Sequence, residues 1–275
     1  MLNSEEFSLL YERAYIPEHL PHYVQAVSSA QPHLHDGYLC FTHKTHFIFI
    51  GYPLGSPDTD IQRSYNTACE RFRPNTVTLI APQLWFDDPT FEGQPQDSYY
   101  KLALPFRKAD PELSYMVRRA STELHVRQGT FGREHRRLVK EFVSRHELSP
   151  EYTKLLKRMP QYLNKSSSAR LLEARRGDIL VAFTIVDLGS ATYAFYLFNF
   201  RSVERNVPGA SDLLFFEMVK SAQKEGKAAI NLGLGINPGI RRFKEKWGGT
   251  PFLPYHSVLV NRKPADLGSL AEKLC

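Results

Sequence analysis

The most constraining feature of the chain is a strand that ends in alternating glycines and leads directly into a basic helix. The strand AAINLG (residues 228–233) runs through the glycines of NLGLGINPG into IRRFKEKWGG (residues 240–249). Two glycines after a strand indicate a bulge or a close approach of the backbone to another group. Asn237 followed by Pro238 is typical of a helix start, and the closing glycine pair is typical of a helix end.

Lys244 is the candidate functional residue of this helix. Ile240, Phe243 and Trp247 recur at helical spacing and are predicted to face the core. Because Lys244 is next to Phe243, we expect it to flank a cleft, where it could hold a phosphate or a developing oxyanion. A solvated basic helix face is the alternative interpretation.

A second candidate site is the loop RNVPGAS (residues 205–211), which precedes a predicted helix. A helix N-terminus presents unpaired N–H groups and a positive dipole end. Gly209 and Ala210 would let the backbone approach a ligand closely, and Arg205 adds positive charge. The loop is therefore a candidate phosphate or pyrophosphate site. The alternative is an ordinary loop in which Ser211 caps the helix.

The order of predicted elements indicates an internal repeat. The order strand, Gly/Pro loop, helix, strand occurs once in each half, and chance remains an alternative because such units are common. We place the boundary near residue 110, which gives units 1–110 and 111–275, the first without a counterpart of the FKEKWGG segment. The predicted helices are 61–72, 132–145, 212–224, one after Ser149 and one after Asn237, and the predicted strands are 46–51, 76–81, 170–175, 179–187, 193–200, 228–233 and 254–260.

Charge divides the chain at the same place. The net charge of the 275-residue chain is +6, but residues 1–110 carry 8 basic and 13 acidic side chains, whereas residues 111–275 carry 27 and 16. A basic unit of this kind favours an anionic partner such as a phosphate-bearing cofactor, RNA or a lipid headgroup. Solvation of an ordinary surface explains the charge equally well.

In the segments described above, the C-terminal half resembles the GCN5-related N-acetyltransferase (GNAT) fold. It is most similar to the tandem members, the Fem-type peptidoglycan aminoacyltransferases and the C-terminal domain of phosphatidylglycerol lysyltransferases. The strand order, the PGAS loop entering a helix, and NLGLGINPGIRRFKEKWGG carry the resemblance, which covers residues 118–261 well. It implies an α+β fold of tandem GNAT-like acyltransferase units, with mixed central sheets flanked by helices and a degenerate N-terminal copy.

The resemblance also implies acyl transfer to an amine or hydroxyl acceptor. The activated carbonyl of the donor would lie beside strand 193–200, where a backbone N–H polarises it. Lys244 matches the lysine of the family's F-K segment, and Tyr196 is the other candidate catalytic residue, lining the acyl pocket or simply packing in the core. Residues assigned to donor binding are Arg205, Asn206, Gly209, Ala210, Ser211, Asn231, Gly233, Gly235 and Asn237.

The donor predicted from this resemblance is an aminoacyl-tRNA. The family's CoA-binding loop has the pattern Arg/Gln-x-x-Gly-x-Gly/Ala. The corresponding segment RNVPGA has one more residue before its glycine and lacks the second glycine. Three possibilities therefore stay open: an aminoacyltransferase that uses tRNA, an N-acyltransferase that uses acyl-CoA or an acyl carrier protein, and a catalytically inactive GNAT-like binding module. We expect no tightly bound cofactor, and the acceptor and oligomeric state are not predicted.

Several classes of protein are excluded. Cys40, Cys69 and Cys275 have no CxxC spacing, which excludes a disulfide scaffold and a zinc ribbon. The acidic start MLNSEEFSLL is not typical of a secretory signal, and no run of eighteen apolar residues occurs. We therefore expect a cytoplasmic protein without a transmembrane segment, one that would contact a lipid acceptor only peripherally.

Two further sets of residues are candidates for metal binding or for a general base. One set consists of His33, His35, Cys40, His43 and His46. No carboxylate or second cysteine completes a familiar metal-binding spacing with them, so no metal is predicted. The general base is not identified. Its candidates by position near strand ends are Glu173, Asp187, Glu204 and His256.

Overall fold

The fold is built on one sheet of eleven strands. The computed structural model describes residues 2–55, 60–85, 97–107 and 110–262. Their strands are β1 (Gln31–His35), β2 (Tyr38–His43), β3 (His46–Ile50), β4 (Thr76–Ala81), β5 (Asp97–Ala103), β6 (His125–Gln128), β7 (Ala169–Arg176), β8 (Ile179–Asp187), β9 (Tyr193–Arg201), β10 (Ala229–Leu234) and β11 (Thr250–Asn261). Their order across the sheet is β1-β2-β3-β4-β11-β5-β10-β9-β8-β7-β6.

Helices cover both faces of this sheet. They are α1 (Ser4–Arg13), a 3₁₀ turn at Pro17–His19, α2 (Pro21–Ser28), α3 (Ile61–Phe72), α4 (Pro111–Glu123), α5 (Arg133–Arg145), α6 (Pro150–Lys165), α7 (Ala210–Lys224) and α8 (Pro238–Lys246). The cluster that contains Phe183 and Phe200 packs against α5 and α6, while the cluster that contains Phe215 and Met218 of α7 lies on the other face. In the described part of the chain, no helix is both long and apolar enough to cross a membrane.

The predicted meander of the second half is confirmed. Strands β7, β8 and β9 pair antiparallel in order. Strand β6 extends the meander on its outer edge and was missed, because four residues reading HVRQ carry no apolar alternation. Ser149 caps α6 by accepting a hydrogen bond from the Tyr152 N–H, as the Ser-Pro pair predicts.

The repeated plan is also present in the structure. In the first half β3, α3 and β4 form a parallel strand–helix–strand unit, and in the second half β9, α7 and β10 form another. The bounds of α3 and β4 are those predicted from the sequence. The two units differ in one respect. Strands β3 and β4 pair over five positions, whereas β9 and β10 pair over only three before their ladder stops.

The two halves are interleaved at the centre of the sheet. Strand β5 of the first half lies between β10 and β11 of the second half and is antiparallel to both. Strand β11 then pairs with β5 through Thr250–Tyr255 and with β4 through His256–Asn261. Each half therefore completes the hydrogen-bonding ladder of the other, since β10 and β11 would both have an open edge without β5.

This interleaving predicts that residues 111–275 do not fold alone. Expressed without residues 1–110, they should lack a cooperative thermal transition, because β10 and β11 lose β5 and α7 loses part of its apolar cover. Thermal unfolding of the fragment and of the full chain, each followed by circular dichroism, measures whether the transition is cooperative. Mixing the two fragments is the control, and it should restore part of the transition. A cooperative melt of the fragment alone would contradict the prediction.

Candidate functional site

The site lies where β9 and β10 separate. The two strands pair only at Tyr193–Phe195 and Ala229–Asn231. Beyond this point β9 has a bulge. Tyr196 and Phe198 are the register partners of two consecutive residues of β8, so Leu197 between them has no partner in the ladder. Strand β10 shifts register between Asn231 and Gly233, where Gly233 has a left-handed φ of 75°. A parallel pair that stops in this way leaves backbone groups of β9 facing a gap.

Lys244 reaches this gap from α8. Its side chain is 3% exposed, and Nζ donates a hydrogen bond to the Leu234 carbonyl at 2.5 Å. A Cβ added at Gly233 would lie 3.9 Å from Nζ and 3.8 Å from the Tyr196 carbonyl oxygen. The solvated-face interpretation is therefore wrong for Lys244, although Arg241 and Arg242 beside it are exposed.

Burial determines the charge state of Lys244. Desolvation lowers its pKa to about 7, and the carboxylate of Asp97 opposes the shift. The ring of Tyr100 lies under the ammonium, with its centroid 5.4 Å from Nζ, which favours the charged form. Near neutral pH the side chain therefore exists as both ammonium and amine, the condition in which a group can stabilise negative charge and also exchange a proton.

Asp97 shapes the glycine link between β10 and α8. Its carboxylate accepts hydrogen bonds from the Gly235 N–H at 2.9 Å and the Ile236 N–H at 2.8 Å. A Cβ at Gly235 would lie 2.7 Å from Asp97 Oδ1, so the glycine is needed for this contact. Asp97 and Tyr100 both come from β5, and their place in the site could not be predicted because β5 is far from β10 in the chain.

The two predicted asparagines shape the backbone on either side of the link. Asn231 is buried; its Oδ1 accepts a hydrogen bond from the Gly233 N–H, and its Nδ2 donates to the Tyr15 carbonyl. Asn237 caps α8 by accepting a hydrogen bond from the Ile240 N–H at 3.0 Å, as predicted. Both asparagines therefore hold the glycine segment in place by hydrogen bonds within the chain.

Tyr196 packs within an aromatic group below the gap. Its ring meets Phe215 edge-on at 5.0 Å and lies parallel to Phe243 at 6.1 Å. Burial, followed by the charge of Asp212, raises the pKa of Tyr196 well above its usual value, so the phenol stays protonated. The contacts are those of a core residue whose backbone borders the site.

The start of α7 is enclosed by protein. A Cβ at Gly209 would lie 2.6 Å from the Met116 carbonyl oxygen of α4, and Gly209 has a φ of 83°. The small size of this residue is therefore explained by helix packing. Ala210 is buried in the same contact region.

The other donor-binding candidates of the loop before α7 contact different parts of the protein. Ser211 does not cap the helix: Gly209 holds that position, and the Ser211 hydroxyl bonds Asn199 Oδ1. Asn206 accepts a hydrogen bond from Arg201. Arg205 lines a small pocket with α5. The structure thus brings Gly233, Gly235 and Lys244 together, whereas Arg205, Asn206 and Ser211 make separate contacts.

A buried carboxylate occupies the first turn of α7. Asp212 is 5% exposed, accepts a hydrogen bond from Trp247 Nε1 at 3.0 Å, and forms an ion pair with Lys246 at 2.6 Å. A negative charge there interacts favourably with the helix dipole. It therefore fills the role that a bound phosphate would take at this terminus.

Three of the four predicted candidates for a general base are already engaged, and the fourth, His256, lies partly buried on β11. Glu173 is buried and contacts Arg127, Arg175 and His135. Asp187 accepts hydrogen bonds from Tyr162, Ser166 and Ser168, and Glu204 forms an exposed pair with Arg137. In the histidine-rich segment His33, His35 and His46 each bond a threonine hydroxyl.

A basic surface lies beside the site's half of the sheet. Helix α5 exposes Arg133, Arg136, Arg137 and Lys140. A cleft of about 530 Å³ at the N-terminus of this helix is lined by Arg127, Arg133 and Arg175, and also by Glu134 and Glu173, which form ion pairs with Arg127 and Arg175. The exposed cations of α5 and the N–H groups at its start are typical of surfaces that contact phosphates.

Comparison with solved structures identifies the fold. L-PGS from Bacillus licheniformis matches at 15% identity over 98% of this chain and 95% of that chain, with a TM-score of 0.58. FemX matches at 10% identity over 99% and 98%, with a TM-score of 0.60. A tandem GNAT protein from the clavulanic acid biosynthesis pathway matches at 14% identity over 83% and 79%, with a TM-score of 0.51.

These likenesses confirm the α+β, tandem GNAT-like fold predicted from the sequence. At such identities they establish fold alone. No family model matches the chain. No curated protein matches it either.

The packing of Gly209 predicts a selective loss of stability. Gly209→Ala should lower the free energy of unfolding by about 1–2 kcal/mol for its left-handed backbone, and by about 1–3 kcal/mol more for the clash with α4. Gly226→Ala is the matched control, because Gly226 has a φ of 71° and no neighbour within 4 Å. Urea denaturation measures both. Equal losses would show that the α4 contact is not the constraint.

The buried Lys244 predicts a pH dependence of stability. Its native pKa is about 7, whereas that of an unfolded lysine is about 10.4. Between these values the unfolded chain binds the extra proton, so stability rises with pH by up to about 1.4 kcal/mol per pH unit. Lys244→Met should lack this rise, and the difference between the two proteins should be flat below pH about 7. Denaturation from pH 6 to 10 measures it, and parallel curves would contradict the assignment.

Proposed function

We propose that this chain, which has the tandem GNAT-like fold, is an acyltransferase that moves an aminoacyl group from an aminoacyl-tRNA to an amine or hydroxyl acceptor. The observation that supports the proposal most is the buried Lys244 ammonium at the place where β9 and β10 separate. The first half pairs β3 and β4 over five positions and has no such gap. We therefore assign catalysis to the second half.

The gap suits the chemistry of acyl transfer. An ester carbonyl placed between the strands would meet backbone N–H groups of β9 on one side and Lys244 on the other. The acceptor attacks the carbonyl carbon and gives up one proton, and when the tetrahedral intermediate collapses the bond to the tRNA oxygen breaks and that oxygen takes up a proton and leaves as the hydroxyl of the tRNA. Donors that are fixed before the reaction stabilise the oxyanion without reorganising, which is the main source of rate in such sites.

The start of α7 favours tRNA over acyl-CoA as the donor. A CoA pyrophosphate would need exposed N–H groups and an open glycine there. Instead, Gly209 lies against α4, and the carboxylate of Asp212 occupies the first turn. Repulsion from this buried carboxylate would weaken phosphate binding, and Lys246 is already paired with it. An aminoacyl ester needs no pyrophosphate site beside the acyl group.

The exposed cations of α5 offer contacts for the tRNA backbone. Arg133, Arg136 and Lys140 project from one helix, and the neighbouring Arg127 and Arg137 are exposed too but form ion pairs with Glu173 and Glu204. Binding to them would release counterions and would therefore weaken steeply with salt. A peripheral contact with a lipid acceptor would use the same kind of charge, so the donor must be tested directly.

A binding comparison tests the donor. Purified protein is titrated with acetyl-CoA, aminoacylated tRNA and deacylated tRNA. We expect a preference for the aminoacylated form and a loss of affinity of at least about tenfold between roughly 50 and 200 mM salt. Acetyl-CoA binding without tRNA binding would replace this proposal with an acyl-CoA enzyme. Binding of neither would favour an inactive binding module.

Lys244 gives the catalytic test. Lys244→Ala should lower single-turnover transfer at saturating donor by about 100-fold or more. Arg242→Ala is the matched control, because Arg242 is an exposed cation on the same helix, and its rate should stay within about twofold. Melting temperatures of both variants show whether each is folded. Normal transfer by a folded Lys244→Ala protein would remove the residue from the site.

A further inference from the structure

Glu18 lies on the face of the sheet opposite Lys244. It belongs to the 3₁₀ turn Pro17–His19, which connects α1 to α2. The turn is anchored beside the gap: Asn231 Nδ2 donates to the Tyr15 carbonyl, and His19 Nε2 donates to the Tyr52 carbonyl because its Nδ1 faces the Tyr15 N–H. Ala14 and Leu20, at the two ends of this connection, pack on Phe195 of β9, the last residue that pairs with β10.

Strand β5 places Glu18 and Lys244 at the same level of the sheet. Tyr99 donates a hydrogen bond to Glu18 Oε2 at 2.7 Å, and Tyr99 is the register partner of Leu234, whose carbonyl receives Lys244. Successive residues of a strand face opposite sides. Tyr99 accordingly packs with residues of α1 and α2, whereas Tyr100 lies under Lys244.

The Glu18 carboxyl is surrounded by tyrosines rather than by cations. Tyr99 meets Tyr52 edge-on at 5.8 Å and Tyr255 at 5.5 Å. Burial raises the pKa values of Tyr23, Tyr52, Tyr99 and Tyr255, and the charge of Glu18 raises them further, while Tyr99 is the one of the four with a direct hydrogen bond to the carboxyl. Among the described residues, no Lys, Arg or His forms an ion pair with Glu18, unlike the buried Glu173 with its two arginines.

This arrangement leaves a charge uncompensated. A carboxylate removed from water without a cation is costly, and burial raises the pKa of Glu18. The Glu18 side chain is nonetheless only partly buried. A carboxylate that lacks a cationic partner and lies among tyrosine side chains is suited to recognise an ammonium ion, since its charge attracts the cation and aromatic side chains can add to the attraction.

We infer that Glu18, with Tyr99 and the neighbouring tyrosines, binds a primary ammonium group of a reactant that enters the gap between β9 and β10. Two reactants could supply it: the α-ammonium of the aminoacyl group on the donor, or the amine of the acceptor, which would pass one proton to the Glu18 carboxylate before it attacks. The assignment to a reactant rests on the proposed function. Binding of an ammonium compound at Glu18 does not.

Binding of small probes tests the pocket without any transfer reaction. Alaninamide and lactamide have the same shape, but only the first carries an ammonium. Two-dimensional NMR of the full chain should show saturable shifts with alaninamide at millimolar concentration and none with lactamide. Glu18→Gln, which keeps an acceptor for the Tyr99 hydroxyl, should weaken alaninamide binding at least tenfold. Glu12→Gln is the matched control on the exposed face of α1 and should not change it.

The source of the ammonium is separated by two transfer assays. If the donor supplies it, wild-type protein should use aminoacyl-tRNA at least tenfold faster than N-acetyl-aminoacyl-tRNA, and Glu18→Gln should abolish the preference. If the acceptor supplies it, both donors should react alike, and Glu18→Gln should raise the KM for an amine acceptor. Glycinamide and glycolamide serve as amine and hydroxyl acceptor probes.

Failure of this inference differs from failure of the proposed function. Equal binding of alaninamide by wild type and by a folded Glu18→Gln protein would overturn the ammonium pocket even if Lys244→Ala abolishes transfer. Specific alaninamide binding in a protein that neither binds tRNA nor transfers an acyl group would overturn the proposed function and keep the pocket. Tyr99→Phe, which removes only the hydroxyl that orients Glu18, should give an intermediate affinity for alaninamide.

Discussion

Strand β5 hydrogen-bonds to β10 along one edge and to β11 along the other, and this double pairing holds the centre of the molecule together. Three of its residues also build the site. Asp97 fixes the glycine link, Tyr99 orients Glu18, and Tyr100 lies beneath Lys244. A strand supplied by the first half therefore determines the geometry of the gap in the second half. The first half is part of the site even though its own pair of parallel strands is closed.

The site concentrates charges that the fold would be more stable without. Lys244 is buried and held by a carbonyl oxygen, and Glu18 is held by a phenol. Among the described residues neither forms a direct ion pair of the kind that Arg175 forms with Glu173, although Asp97 lies near enough to Lys244 to favour its charged form. A single hydrogen bond to a charged group stabilises the folded state by only about 1–3 kcal/mol, which is less than the free energy needed to remove the charge from water. Groups left in this state are characteristic of sites that act on a ligand.

Local patterns in the sequence predicted local structure well. Helix α3 and strand β4 were placed at their observed bounds, because apolar periodicity and flanking turn residues specify them. The same holds for the Asn237 cap and the stop of α7 at Gly226. The pairing of β5 with β10 and the position of Glu18 could not be predicted, since both depend on contacts between residues more than 80 positions apart. The packing of α4 against Gly209 could not be predicted for the same reason.

Strand β11 has a consequence for the order in which the chain assembles. It is the last described strand of the chain, and its second part closes the edge of β4 in the first half. On a ribosome, the first half therefore emerges with an open strand edge that stays exposed until β11 of the second half has been synthesised. Pairings between such distant segments form slowly and leave edges that can pair with other chains. Dependence on chaperones during synthesis would follow directly from this topology.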